Sequence, residues 1–202
     1  MPSPRTRRLM MDAESMQRRF ANWPLIQICG QSGIPAEIYR IRYDIKGLCV
    51  DASGNIVERD SHELEINLSL GYPRRAPQCR MIAPVFHPNF DDASVCIGDF
   101  WAASEALDDL VIRIGRMIAY QEYNTRSPLN GLAAKWAAEN QHLMPIDGRT
   151  IAPPTEGDGL VESGEPGVQR RDIREPNAHQ PPAVLTAVPA VDPWSEKIIV
   201  VP

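Results

Sequence analysis

Apolar positions recur along residues 1–145 with two different periods. Near the N-terminus Leu9, Ala13, Met16 and Phe20 fall at i, i+4, i+7 and i+11, the stripe of an amphipathic helix over residues 6–21. Arg7, Arg8, Arg18 and Arg19 lie largely off that stripe. The period then shortens. LIQICGQ at 25–31 reads as a strand and is followed by a turn at Gly33-Ile34-Pro35. Residues 37–45 alternate, with Tyr39, Ile41, Tyr43 and Ile45 on one side and Ile38, Arg40, Arg42 and Asp44 on the other. A turn at Ala52–Asn55 precedes HELEINLSL at 62–70, where Leu64, Ile66, Leu68 and Leu70 give the cleanest alternation. CRMIAPVF at 79–86 predicts a fourth strand. Short links between strands favour an antiparallel meander over crossovers.

Beyond residue 100 the spacing is helical again. Leu107, Leu110, Val111, Ile114 and Ile118 predict a helix over 105–121. Ser127 as N-cap and Pro128 as first helical residue then open a second helix, with Leu129, Leu132, Ala133, Trp136 and Ala137 carrying it to about Gln141. The order is helix, four strands, irregular segment, helix, helix. That defines an α+β domain with helices packed on one antiparallel sheet.

Composition divides the chain near Pro145. Residues 146–202 hold 9 of the 19 prolines and one aromatic residue, Trp194. Such a stretch cannot bury enough apolar surface to offset its ordering entropy. We therefore expect a catalytic-sized domain at 1–145 and a disordered tail at 146–202. Within the tail, VDPWSEKIIVVP at 191–202 stands apart as a short binding motif, β-prone and anchored by Trp194.

A net charge of −5 argues against nucleic-acid binding by bulk charge. No apolar run is long enough to span a bilayer. The basic N-terminal stretch lacks the apolar core of a signal peptide and contains Asp12 and Glu14, so the expected location is cytoplasmic. Cys29, Cys49, Cys79 and Cys96 form no CxxC pair and no zinc-finger spacing with histidine. Each is then a small buried hydrophobe or a reactive thiol. Cys29, Cys49 and Cys79 sit on strand-like segments and read as core.

The irregular stretch 71–104 holds the candidate chemistry. A long structureless segment inside a compact domain is usually functional. It contains His87-Pro88-Asn89 and then Cys96. A cysteine on a loop over a rigid scaffold is accessible, as a reactive thiol must be. Acyl transfer develops an oxyanion, which a neutral amide such as that of Asn89 can stabilise. No histidine or lysine adjoins Cys96 in sequence, so no strong base is offered to water.

YPRRAP, then HPN, then VCI, in this order of elements, resembles the core of ubiquitin-conjugating enzymes over roughly residues 7–143. The resemblance implies the fold of that family and a thioester of a ubiquitin-like protein on Cys96, passed on to a substrate amine. It gives Asn89 the oxyanion role, beside a loop-structuring role that does not exclude it, and makes His87 an organiser of the loop. Asp99, Tyr123, Asn124 and Ser127 become secondary candidates for shaping the amine entrance. It implies no metal or nucleotide cofactor on this chain. The implied partners are a ubiquitin-like protein, a target protein and an activating enzyme docking on the first helix through Arg7 and Arg8; from its own residues, and not from the resemblance, the tail motif with Trp194 is a further candidate contact for the activating enzyme.

The sequence also departs from the pattern. The gap from Asn89 to Cys96 is one residue short, Trp101 comes early, and Arg74 replaces an apolar ligase contact. CIGDFW, RIGRMIAYQEYN and SPLN are similar to a divergent bacterial branch, some of whose members serve in antiviral defence. Two alternatives stay open. One is a non-catalytic module of the same fold that only binds a ubiquitin-like protein; the other is transfer to a hydroxyl, giving an ester.

Overall fold

The computed structural model describes residues 1–97 and 101–154. Helix α1 runs Pro4–Phe20, with Ser3 as N-cap accepting from the Thr6 amide at 3.1 Å. Proline opens the helix, where its missing N–H costs nothing. Leu9, Met16 and Phe20 face the core as the stripe predicts, and the buried acid Asp12 joins them.

Six strands follow: β1 Ile26–Ser32, β2 Ile38–Tyr43, β3 Gly47–Val50, β4 Ile56–Arg59, β5 His62–Asn67 and β6 Gln78–Met81. Four of them form the expected antiparallel meander in the order β1-β2-β5-β6. Tyr39, Ile66 and Cys79 stand in register across the inner face, as do Ile41, Leu64 and Met81. On the outer face Arg40, Glu65 and Arg80 are in register, and Arg80 pairs with Glu65 at 3.1 Å. The expected turn at Ala52–Asn55 proves to be the tip of a separate hairpin, β3 with β4.

Helix α2, Leu107–Ile118, fills the inner face with Leu110, Val111, Ile114 and Ile118, and the buried Tyr43 hydroxyl donates to the Val111 carbonyl at 2.9 Å. Helix α3, Gly131–Glu139, packs Trp136 and Ala137 against Leu48, Phe86 and Tyr120 in a smaller second cluster. No helix among the described residues is long and apolar enough to cross a membrane.

Several boundaries differ from expectation. The alternation in 62–70 ends as a strand at Asn67; the chain turns at Ser69–Tyr72, and Leu70 is 90% exposed. The cap of α3 is Asn130, whose Oδ1 accepts from the Ala133 amide at 3.0 Å, and not Ser127. The Pro88 carbonyl takes the Leu129 and Asn130 amides first, which delays the helix.

Packing also runs past Pro145. A strap of residues 145–154 crosses the seam between α2 and the sheet. Its Asp147 carboxylate accepts from the Lys46 amide at 2.8 Å and from the Arg149 guanidinium at 2.6 Å. The Arg149 hydrogen bonds, against the opposing effect of burial, hold that carboxyl down at about 2. Trp23 Nε1 donates to the Ile151 carbonyl at 2.9 Å. Ile151 is 1% exposed, a burial worth roughly 1.5–3 kcal/mol. It lies so close to α2 that a Cβ on Gly115 would sit 2.8 Å from Ile151 Cγ2. Residues 155–202, with Trp194 and the 191–202 motif, lie outside the described residues, as does Asp99.

Candidate active site

The loop from β6 to Cys96 is tied by its backbone to β3, to the entry of α3 and back to β6, and by the Asn89 side chain to the segment after α2. It enters beside β3, where the Phe86 amide donates to the Leu48 carbonyl at 2.7 Å. His87 then turns inward and is fully buried, its ring 4.7 Å from that of Phe90 and 4.6 Å from that of Tyr120. Its Nδ1 accepts from the Asn89 amide at 3.1 Å, so the ring proton belongs on Nε2. The Pro88 carbonyl binds the entry to α3, accepting from Leu129 at 2.8 Å and Asn130 at 3.0 Å.

Asn89 is 5% exposed and fully occupied on one side. Its Oδ1 accepts from the Asn124 amide at 2.8 Å, and its Nδ2 donates to the Asn124 carbonyl at 3.3 Å. This pair locks the segment after α2 onto the loop. Asp91 then makes a tight turn by accepting from the amides of Ala93 at 2.8 Å and Ser94 at 2.6 Å, bonds that lower its carboxyl's pKa. The chain folds back, Phe90 bridging to Val95. The Val95 amide reaches the Cys79 carbonyl of β6 at 3.0 Å, and the Cys96 amide donates to the Asn89 carbonyl at 2.8 Å.

The structure thus joins Cys96 and Asn89 through the main chain, and Asn89 to Asn124. Asn124 takes part by its backbone, since its own Oδ1 accepts from the Arg126 amide at 2.9 Å. Tyr123 packs beside Tyr120 at 5.7 Å, and Ser127 is exposed. Cys96 is half-buried. Of the cysteines expected in the core, only Cys79 is fully buried, and burial pushes its thiol up to about 12. Cys49 is half-buried, and Cys29 is exposed at a bulge between Ile28 and Gly30 that turns it out of the strand's alternation.

Two supports of the site carry no sequence signal. Tyr120 adopts φ +56° at the end of α2 and donates to the Phe86 carbonyl at 2.7 Å, which sets its ring against His87. Arg8 is the other. Its guanidinium binds Asp12 at 2.9 Å, the Tyr72 hydroxyl at 3.0 Å and the carbonyls of Ala103 and Glu105. Tyr72 in turn donates to Asp12 at 2.6 Å. The arginine expected to dock a partner therefore ties α1 to the segment that follows Cys96, with its side chain 17% exposed. Arg7 remains exposed.

Burial depresses the His87 pKa to about 3, so the ring is neutral and a poor base at working pH. Burial, followed by the charge of Arg59, brings His62 to about 4. Both would titrate near 6.5 when unfolded. Their contribution to stability is complete above pH 6.5 and is lost as pH falls toward 4 and then 3. Within that window each unit of pH removes on the order of 1.4 kcal/mol per ring. Denaturant midpoints should be flat from about pH 7 to 8 and fall steadily below about 6. A folded His87→Gln variant should show a shallower fall; an unchanged slope would contradict the assignment.

This is a six-stranded α+β scaffold presenting one half-buried cysteine on a tightly tied loop. The family model for ubiquitin-conjugating enzymes matches residues 31–144, more than half of the chain. The chain is also 26% identical over 145 residues to the ubiquitin-conjugating enzyme E2 1 of Caenorhabditis elegans, covering 70% of each. The chain belongs to the ubiquitin-conjugating enzyme family. Membership makes it a transferase of that general kind, working with a ubiquitin-like protein, an activating enzyme and a target.

Proposed function

We propose that Cys96 is the acceptor thiol. Its sulfur attacks the thioester carbonyl of a ubiquitin-like protein held by the activating enzyme, whose own thiol leaves. A substrate amine, a lysine by preference, then attacks the new thioester. The C–S bond breaks, the Cys96 thiolate departs, and the amine loses a proton to leave an amide. Asn89 Nδ2 has a second hydrogen beyond the one given to Asn124, and it supplies the oxyanion donor. The observation that carries this reading is the tie of the Cys96 amide to the Asn89 carbonyl at 2.8 Å, which brings the main chain of the half-buried Cys96 beside that residue.

The neutral, buried His87 supports a carrier over a hydrolase, because no activated base stands in the loop. Four free cysteines accord with a reducing cytoplasm. The bacterial setting, and any part in antiviral defence, rest on the motif resemblance alone. For docking the activating enzyme, the exposed Arg7 on α1 is the remaining candidate of the basic pair.

The test is a charging reaction with ATP, the cognate activating enzyme and its ubiquitin-like protein. The wild-type chain should form an adduct that reductant dissolves. No adduct, with a folded chain, would leave the binding-module alternative. A final conjugate cleaved by hydroxylamine would give the hydroxyl alternative instead of the amide.

A further inference from the structure

The meander has two edges, and they are not alike. At the β6 edge the loop covers the strand, with the Val95 amide on the Cys79 carbonyl at 3.0 Å. At the other edge β1 pairs with β2 alone, and its outer side meets no described strand. An open strand edge is a row of unpaired main-chain groups that another extended segment can complete.

Beside this edge lies a cleft of about 600 Å³, between the end of α1 and β1. Phe20, Trp23 and Ile28 form its apolar part, and Gln17, Asn22 and Gln27 its polar rim. No lining side chain is charged, in a chain of which 23% is charged, so the cleft suits a neutral amphipathic peptide and not an ionic partner. Trp23 and Ile28 are only partly buried against the core.

The chain itself passes this cleft. Trp23 holds the Ile151 carbonyl at 2.9 Å, and the described residues end at Pro154, three positions later. Residues 155–193 then lead to WSEKIIVV at 194–201. That stretch has an aromatic residue, four β-branched residues in a row, and Glu196 and Lys197 cancelling in charge. Residues 155–193 separate Pro154 from Trp194, and a span on the order of 35 Å is within reach of that length of chain, which gives a millimolar-scale effective concentration, enough to populate a weak contact.

We propose that residues 194–201 of this chain dock on the open edge of β1, pairing main chain with it and covering the cleft of Phe20, Trp23 and Ile28. The contact leaves the Cys96 loop at the opposite, β6 side of the sheet uncovered. It is independent of the chemistry assigned to Cys96, and its test reads no activity.

Amide hydrogen exchange of the full chain should show β1 protected on the order of tenfold more than in an Ile198→Asp/Val200→Asp variant of the same length. Both positions lie beyond the described residues, and the core amides of α2 and β5 should exchange equally in the two chains. An excess of the synthetic peptide of residues 191–202 should restore β1 protection to the variant. Equal β1 exchange in the two chains would overturn the proposal. So would protection that grows with protein concentration, which would give the contact to a second copy.

Discussion

A chain carrying Cys96→Ala is expected to form no adduct at all in the charging reaction, while Cys29→Ala, Cys49→Ala and Cys79→Ala each charge. Accessibility alone does not single out Cys96, since Cys29 is the more exposed thiol. What separates them is the surroundings. Cys29 stands exposed on an edge strand, whereas Cys96 is tied through the main chain to Asn89, the proposed oxyanion donor. Cys79 is buried, and its thiol is held near 12, so almost none of it is the thiolate that attacks. Cys49 lies in the β3–β4 hairpin next to Leu48, whose carbonyl holds the entry of the loop at Phe86 and not the Asn89–Cys96 turn. Cys96→Ser should trap an oxyester that survives reductant. Charging that persists in Cys96→Ala, or that is lost only in Cys29→Ala, would move the site elsewhere.

The Asn89→Ala chain should still charge but discharge to lysine on the order of 10²–10³ more slowly, the usual loss for one oxyanion donor. The structure complicates this test in a definite way. Asn89 also closes the two-way bond with the Asn124 backbone, so alanine leaves an amide and a carbonyl of that segment without partners. Such a loss costs roughly 1–3 kcal/mol of stability if the groups stay buried. The two roles are separable by Asn89→Asp. Its carboxylate keeps the acceptor for the Asn124 amide, but it has no N–H to give an oxyanion and adds negative charge. Discharge as slow as in the alanine chain, with the denaturation midpoint closer to wild type, supports the donor role. Normal discharge in both variants would leave Asn89 as a purely structural residue.

Much of this was readable in the chain because it is local. The stripe Leu9-Met16-Phe20 and the alternation through Leu64 and Ile66 are short-range patterns, and each landed on its element. The His87-Pro88-Asn89 and Cys96 pairing was readable because one loop carries both. What escaped was set across long separations. Strands β3 and β4 are four residues each, with Leu48 and Ile56 fully buried among mixed neighbours, too little pattern to declare a strand. The start of α3 was taken from Ser127-Pro128, whereas a carbonyl some forty residues earlier, that of Pro88, decides it. Arg8 reads in the sequence as a docking residue because its partners Tyr72, Ala103 and Glu105 lie far along the chain.

The strap bears on what counts as the unit that unfolds together. The match to the family model ends at residue 144, yet Asp147 and Ile151 are locked to the Lys46 amide, to Trp23 and to the face of α2 at Gly115. A fragment cut at the end of that match would strip Ile151 from the face of α2 at Gly115 and leave the Trp23 indole without its acceptor. The unit expected to unfold together therefore reaches Pro154, ten residues past the end of that match. Fragments of this chain ending after Pro145 and after Pro154 are thus different thermodynamic objects, although both contain every residue assigned to the chemistry.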